Sequence, residues 1–403
     1  MALDQTLMFI TYIGLILLIG LICSIIARRL KIPNLLLLII VGMGIKVLSD
    51  YNIISLKFEP VFLTSIAIIT LAMVVFDSSS KFKFRKFDTL SASALRLSLI
   101  FLIFNMALIS TLTYFLFRPA SFLLALLFAA VVSGTDPSAT LMVLSGARSK
   151  LFELLKVEAI VNTPLIVLIP FLLIDIMKNL SEEISLGFLS SQAFPFAQQF
   201  VAGIGTGILV GFLFFRFMKR YYSQTLSPLA LITVSLLTYV MAESLGGNGV
   251  LAVTTAGLVF GNVYKIKHIK KLQEFGEIFS EVFEILVFVL IGSMIDIPAK
   301  LSFFIPATLL FLAYLLTRFL AVEFSSIGAG YNFKEKLYMS LNIPKGIAVA
   351  VVIFTLATKS ITGMDVILDL ILLFMIYSII LSTIITHYTK FFTKVAVKVD
   401  EEQ

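Results

Sequence analysis

Residues 129–144 read AAVVSGTDPSATLMVL, an apolar run broken near its middle by Asp136, with Ser133, Gly134, Thr135, Pro137 and Ser138 around it. An ionisable side chain near the middle of a membrane span costs about 2.5–3.5 kcal/mol on insertion scales, so it has a partner or a function. Pro137 removes a backbone donor, and it pushes Asp136, the residue before it, out of helical geometry. The helix is expected to break here and leave carbonyls and amides unpaired beside a carboxylate. Broken helices of this kind form cation sites at the membrane midplane. A plainer reading is a proline kink with Asp136 capping the half-helix that follows. Both readings can hold together.

The rest of the chain supports a bilayer as the solvent. Of its 403 residues 59% are hydrophobic and 14% charged, with 38 Phe and no Trp, whereas a soluble domain carries about 25% charged residues. The formal net charge of +7 suggests nucleic acid only until the charges are placed. The single cysteine, Cys23, sits inside the first apolar run; it excludes an internal disulfide framework or a multi-cysteine metal site and reads as a buried thiol. That run, Met8 to Ala27, lacks a basic leader, ends in Arg28-Arg29 and has no small-residue cleavage site, so it is expected to stay as a first helix.

Apolar segments long enough to span, separated by charged or Pro/Gly/Asn-rich breaks, number thirteen: 6–27, 34–48, 60–77, 89–117, 120–146, 152–177, 196–218, 226–243, 247–264, 276–295, 301–325, 336–358 and 364–389. With the N-terminus outside and the C-terminus cytoplasmic, the inward segments hold most of the Lys and Arg, among them Lys81, Lys83, Arg85 and Lys86, and Lys265, Lys267, Lys270 and Lys271. The outward segments hold Lys46, Lys57, Arg118, Lys178, Lys300 and Lys359. That asymmetry is the one a cytoplasmic loop bias produces. Arg96, Arg318 and Lys345 remain inside spans. No long polar linker interrupts the chain, so no appended soluble domain is expected. Six spans, a linking span and six more give the second six the opposite orientation, the arithmetic of an inverted repeat.

Other polar residues gather in a few spans. The sixth reads KVEAIVNTPLIVLIP (156–170), in which Glu158 and Asn162 share a helix face four residues apart while Thr163 is turned aside by about 100°. Glu158 could also be a solvated residue at the helix end. Arg318, within LLFLAYLLTRFLAVEF (309–324), lies too deep to reach water easily and needs an anion; Glu158 is the candidate and Glu323 its rival. The twelfth span, LNIPKGIAVAVVIF (341–354), is interrupted by Asn342, Pro344 and Gly346, with Lys345 at the break. Its place in the second half corresponds to that of the fifth span in the first, and paired interruptions point to a transport site. Lys345 either compensates half-helix carbonyl dipoles or snorkels inward. Asp77, in VVFDSSSKFKF (74–84), ends the third span as a cap, a surface residue or an ion ligand. His268 and His387 lie in or beside basic inward segments and read as solvated. With no transition-metal cluster, nucleotide loop or Ser-His-Asp set, neither an enzyme nor a cofactor is expected.

SGTDPSAT (133–140), EAIVN (158–162), AESLGGNGVLAVTTAGLVFGN (242–262), FVLIGSMID (288–296), Arg318 and the PKG break (344–346) occur in one order over essentially the whole chain. In this the chain resembles the NhaP-type sodium/proton antiporters of the monovalent cation:proton antiporter superfamily. The resemblance implies an all-helical polytopic fold with two broken helices crossing, and a homodimer in which a core moves against a scaffold, as in an elevator. The scaffold would be 1–88 and 195–298, which includes the linking helix. The core would be 89–178 and 299–392, and 393–403 a short cytoplasmic tail. It further implies that Asp136 is the ion-binding and proton-carrying aspartate, Thr135 its neighbouring ligand, Glu158 and Arg318 a buried ion pair, and Asp77 an acid that approaches the site.

One departure matters. Where the family carries Asn-Asp or Asp-Asp in the sixth span, this chain has Asn162-Thr163, and Ala159 stands where a serine is common. The site thereby loses a negative charge and an oxygen. The expectation is electroneutral one-for-one exchange of a monovalent cation (Na⁺, K⁺ or Li⁺) for a proton on Asp136, serving pH homeostasis at a cell membrane. Fewer hard oxygens suit a larger ion such as K⁺. The rival readings are an organic-anion carrier on the same fold, drawing on Lys345 and Arg318, and a sensor or channel relative in which Thr163 marks a decayed site.

Overall fold

Helix lies in every segment that the hydropathy pattern marks as a span. The computed structural model describes residues 2–30, 32–51, 59–81, 89–136, 150–179, 186–220, 226–263, 269–294, 298, 300–359 and 361–393, and the elements among them are all helical. Seven of these helices are long and apolar enough to cross a membrane.

The first three are α1 (Ala2–Leu30), α2 (Asn34–Asp50) and α3 (Pro60–Lys81). Next, α4 (Thr89–Phe104) runs through a π turn at Asn105–Ile109 into α5 (Ser110–Phe117). The turn widens the helix around Asn105, which is fully buried, in the way such bulges do. After a left-handed residue at Arg118 and an N-cap by Ser121, whose hydroxyl accepts from the Leu124 amide, α6 runs only over Phe122–Val132. The expected break follows it. The second half of the predicted fifth span, including Pro137, lies outside the described residues.

The helices α7 (Lys150–Asn179), α8 (Leu186–Arg220), α9 (Leu226–Ser244), α10 (Gly249–Val263), α11 (Ile269–Met294) and α12 (Leu301–Ser325) follow. The predicted twelfth span is again two pieces, α13 (Phe333–Leu341) and α14 (Ile347–Ala357), with residues 342–346 unwound between them. A capping box starts α13: Asn332 and Glu335 exchange backbone-to-side-chain hydrogen bonds of 2.9 Å each. The main helices end with α15 (Met364–His387), and a last turn, α16 (Thr389–Phe392), closes the described chain.

The helices pack in two groups. In one, α11 lies against α1, α2 and α3, and α10 against α3, α8 and α9. In the other, α7 lies against α4 and α6, α12 against α4, and α15 against α6 and α14. The seam runs where α14 meets α3 and α11 and where α7 meets α3. Lipid gives helices no hydrophobic drive to associate, so close packing relies on small residues. Gly257 and Gly261, one helical turn apart on α10, let it seat on α3: a Cβ on Gly257 would come within 2.8 Å of the Phe76 carbonyl oxygen, and one on Gly261 would overlap that of Ser80.

Candidate functional site

The two interruptions meet. The Asp136 amide, released from helical pairing, donates to the Pro344 carbonyl at 2.9 Å. Pro344 itself offers no donor, so the exchange runs one way. Beside it, Gly346 lies so close to Asp136 that a Cβ there would overlap the carboxylate. Gly346 is therefore the residue that allows the second broken strand to pass the first.

An interrupted helix leaves the last carbonyls of its first half unpaired. At the end of α6 these groups find Lys345, whose ammonium donates to the carbonyls of Val132 and Gly134 (2.7 Å to the latter) and to the Tyr314 hydroxyl. Three acceptors around one Nζ use all three donors of a charged ammonium, and the positive charge offsets the negative end of the α6 dipole. Lys345 is wholly buried; it does not snorkel.

The sixth-span helix α7 closes the third side. The Asn162 amide donates to the Ser133 carbonyl at 3.1 Å and to the Thr135 hydroxyl at 3.4 Å. Ser133, Thr135 and Asn162 are all buried, so this amide fixes the unwound segment that carries Asp136. One turn nearer the N-terminus of α7, Glu158 grips Arg318 of α12 through two hydrogen bonds, 2.6 and 2.8 Å. Both side chains are fully buried. The guanidinium also donates to the Met339 carbonyl at 3.4 Å and lies 4.7 Å from the centre of the Phe101 ring. Glu323, the rival partner, is taken by Lys336 at 2.7 Å.

Other expected ligands sit differently. The Thr163 hydroxyl donates back to the Ala159 carbonyl of its own helix at 2.8 Å; an oxygen lone pair stays available, a carboxylate does not. Asp77, at the end of α3, pairs with Lys81 one turn on at 2.7 Å. Gly134 is pressed between Ile166 and Val349, with no room for a side chain.

Two residues of the site were not singled out in the sequence. Tyr314 completes the Lys345 cage, but a tyrosine in an apolar helix gives no sequence signal of that role. Glu284 of α11 lies close enough to Asp136 for their charges to act on each other. The criterion that singles out Asp136, an acid inside a span, applies to Glu284 as well. Its neighbours Glu277 and Glu281 make the start of that span look like a polar helix end.

Known proteins resemble the chain over most of its length. A family profile described as sodium/hydrogen exchanger, transmembrane, matches residues 14–391. The chain is 27% identical to Na(+)/H(+) antiporter 1 of Methanocaldococcus jannaschii over 387 residues, 90% of this chain and 86% of that protein. It is 26% identical to the K(+)/H(+) antiporter NhaP2 of Shewanella sp. over 240 residues, 59% of this chain and 41% of that protein. The solved structure of the sodium proton antiporter MjNhaP1 from Methanocaldococcus jannaschii matches with a TM-score of 0.77 at 22% identity, covering 94% of this chain and 99% of that one. The fold expected from the two broken helices is the fold observed.

Proposed function

The chain belongs to the sodium/hydrogen exchanger family, and from that premise we propose that it exchanges a monovalent cation for a proton across a membrane, with Asp136 holding one or the other. The observation that carries this reading is the meeting of Asp136 with the Pro344–Gly346 break, where the Lys345 ammonium is already committed to the α6 carbonyls. Asp136 supplies the charge for a cargo ion, and Thr135 and Asn162, linked to each other and to the Ser133 carbonyl, shape the oxygen shell around it.

A carboxylate that is neutral with a proton bound and neutral with a cation bound makes the loaded core equally mobile in either form. The empty carboxylate, one charge short, would be held back by the desolvation of a buried anion. Competition for one group thus couples the two fluxes one for one, electroneutrally. Glu284 on α11, an ionisable acid near Asp136, would modulate this competition without itself being carried.

The helix groups support an elevator: residues 89–178 and 299–392 would move as the core against 1–88 and 195–298, with the α14 contacts to α3 and α11 as the sliding seam. The scaffold would form the homodimer contact, the N-terminus would lie outside and the C-terminus in the cytoplasm, and the exchange would serve pH homeostasis. The organic-anion alternative is disfavoured because Arg318 is engaged by Glu158 and Lys345 by neutral acceptors, which leaves neither cation turned toward a cargo.

The test is proton movement in proteoliposomes under imposed gradients of Li⁺, Na⁺ and K⁺. Flux driven by at least one of them is expected. No proton movement with any would overturn the reading.

A further inference from the structure

Arg96 is the one intraspan cation that the exchange site does not use. It lies seven residues into α4, ~10 Å along the axis from the helix start, yet its side chain is exposed and one guanidinium nitrogen donates to the Ser325 carbonyl at the end of α12. That bond holds it at the wall of a cavity of about 220 Å³ formed by three elements: Leu90, Ser93 and Arg96 of α4, Lys150 at the start of α7, and the turn after α12.

The chemistry of the cavity is that of an anion receptor. Lys150 is exposed and stands 5.6 Å from the centre of the Tyr331 ring, and neither it nor Arg96 has a carboxylate partner among the described residues. The turn contributes bare backbone, because Gly328 and Gly330 have positive φ and open space where a side chain would stand. The Tyr331 hydroxyl is shielded without a hydrogen-bond partner among the described residues. Burial and the nearby Glu335 push its pKa up, so it stays a neutral donor. Glu335 itself is tied into the capping box with Asn332, and Glu153, one turn beyond Lys150, is exposed. Two cations at the wall would repel the cargo ion, so the cavity is no part of the cation's route. Ile327 and Phe333, 69% and 66% exposed on the same turn and the helix it leads into, set the cavity beside apolar surface at the end of the bundle.

We propose that this cavity binds a phosphate group, carried by an anionic lipid headgroup or free in solution, between the guanidinium of Arg96 and the ammonium of Lys150. Planar guanidinium and phosphate oxygens match in a forked geometry, and lysine adds a point charge. Because the ligand would touch α4, α7 and the turn after α12 together, it would clamp three helices of one packing group.

The experiment is thermal unfolding of the detergent-purified protein with added phosphatidylglycerol, phosphatidylcholine or inorganic phosphate, for the native chain and for Arg96→Gln, Lys150→Gln and Ser93→Ala separately. Phosphatidylglycerol, and not phosphatidylcholine, should raise the unfolding temperature of the native chain. Each charge variant should need about tenfold more of it for the same shift, the weight of one charge-assisted hydrogen bond, while unfolding near the native temperature when lipid is absent. A like response to inorganic phosphate alone, lost in the same variants, identifies a soluble anion as the source. An unaltered lipid response in both charge variants overturns the proposal, as does a native chain indifferent to both anions. If one charge variant does not fold, the other and Ser93→Ala decide. The readout is independent of transport, so it stands or falls apart from the exchange reading.

Discussion

Gly346 and Asp136 occupy one another's space: no side chain larger than a hydrogen fits at 346 while the carboxylate stays where it is. The second broken helix can thus cross the first only because residue 346 is glycine. Gly346→Ala is expected to displace the carboxylate and remove exchange while the protein still inserts and folds. Gly14→Ala, at a position open to its surroundings, is the matched control and should exchange normally. Proton flux in proteoliposomes compares the two.

Removing one member of the Glu158–Arg318 pair should be far worse than removing both. Burying a lone charge costs about 3–5 kcal/mol where a buried pair is broken, whereas apolar replacement of a whole pair is often neutral. Glu158→Gln and Arg318→Met are each expected to lower the unfolding temperature in detergent sharply, and the double variant to recover much of the loss. Equal and additive losses would show that the two side chains act separately.

Lys345→Met should expose the need for a cation at the break. The carbonyls of Val132 and Gly134 and the Tyr314 hydroxyl would lose a shared donor, at about 1–3 kcal/mol for each buried group left unsatisfied. Lys345→Arg keeps the charge, and should fall between Met and the native residue in an unfolding assay.

The two breaks were legible in the sequence because proline, glycine and a charged residue in an apolar run each state a backbone constraint that no tertiary contact can undo. Glu158 as the partner of Arg318 was legible for a related reason: a buried guanidinium must have an anion, and few lie at its depth. The choice between Glu158 and Glu323 needed the fold, which gives Glu323 to Lys336. Tyr314 and the π turn at Asn105 were not legible, because each depends on which helix lies alongside and at what height; Glu284 carried the signal of an acid inside a span, but its place near Asp136 did not show. Lys345 illustrates the boundary. Its two roles were both visible in the sequence, and only the approach of α6 decides between them.

Thr163→Asp restores the charge that the sixth span lacks, beside Asn162. It is expected to tighten the apparent affinity for the cation severalfold, and Glu284→Gln, which removes an ionisable acid near Asp136, to weaken it, with exchange surviving in both. Cation titrations of the fluorescence response in proteoliposomes give both values. If exchange is lost in Glu284→Gln, the glutamate carries the ion and does more than modulate.

The most direct measurement is cation-driven proton flux into proteoliposomes containing the native chain or Asp136→Asn, with thermal unfolding run on both to show that each is folded. Asparagine keeps the size and the backbone amide that donates to Pro344, but can hold neither a proton nor a cation's charge. The expected result is robust flux for the native chain and none for the folded variant. Normal flux in Asp136→Asn would contradict the assignment of the exchange to this carboxylate.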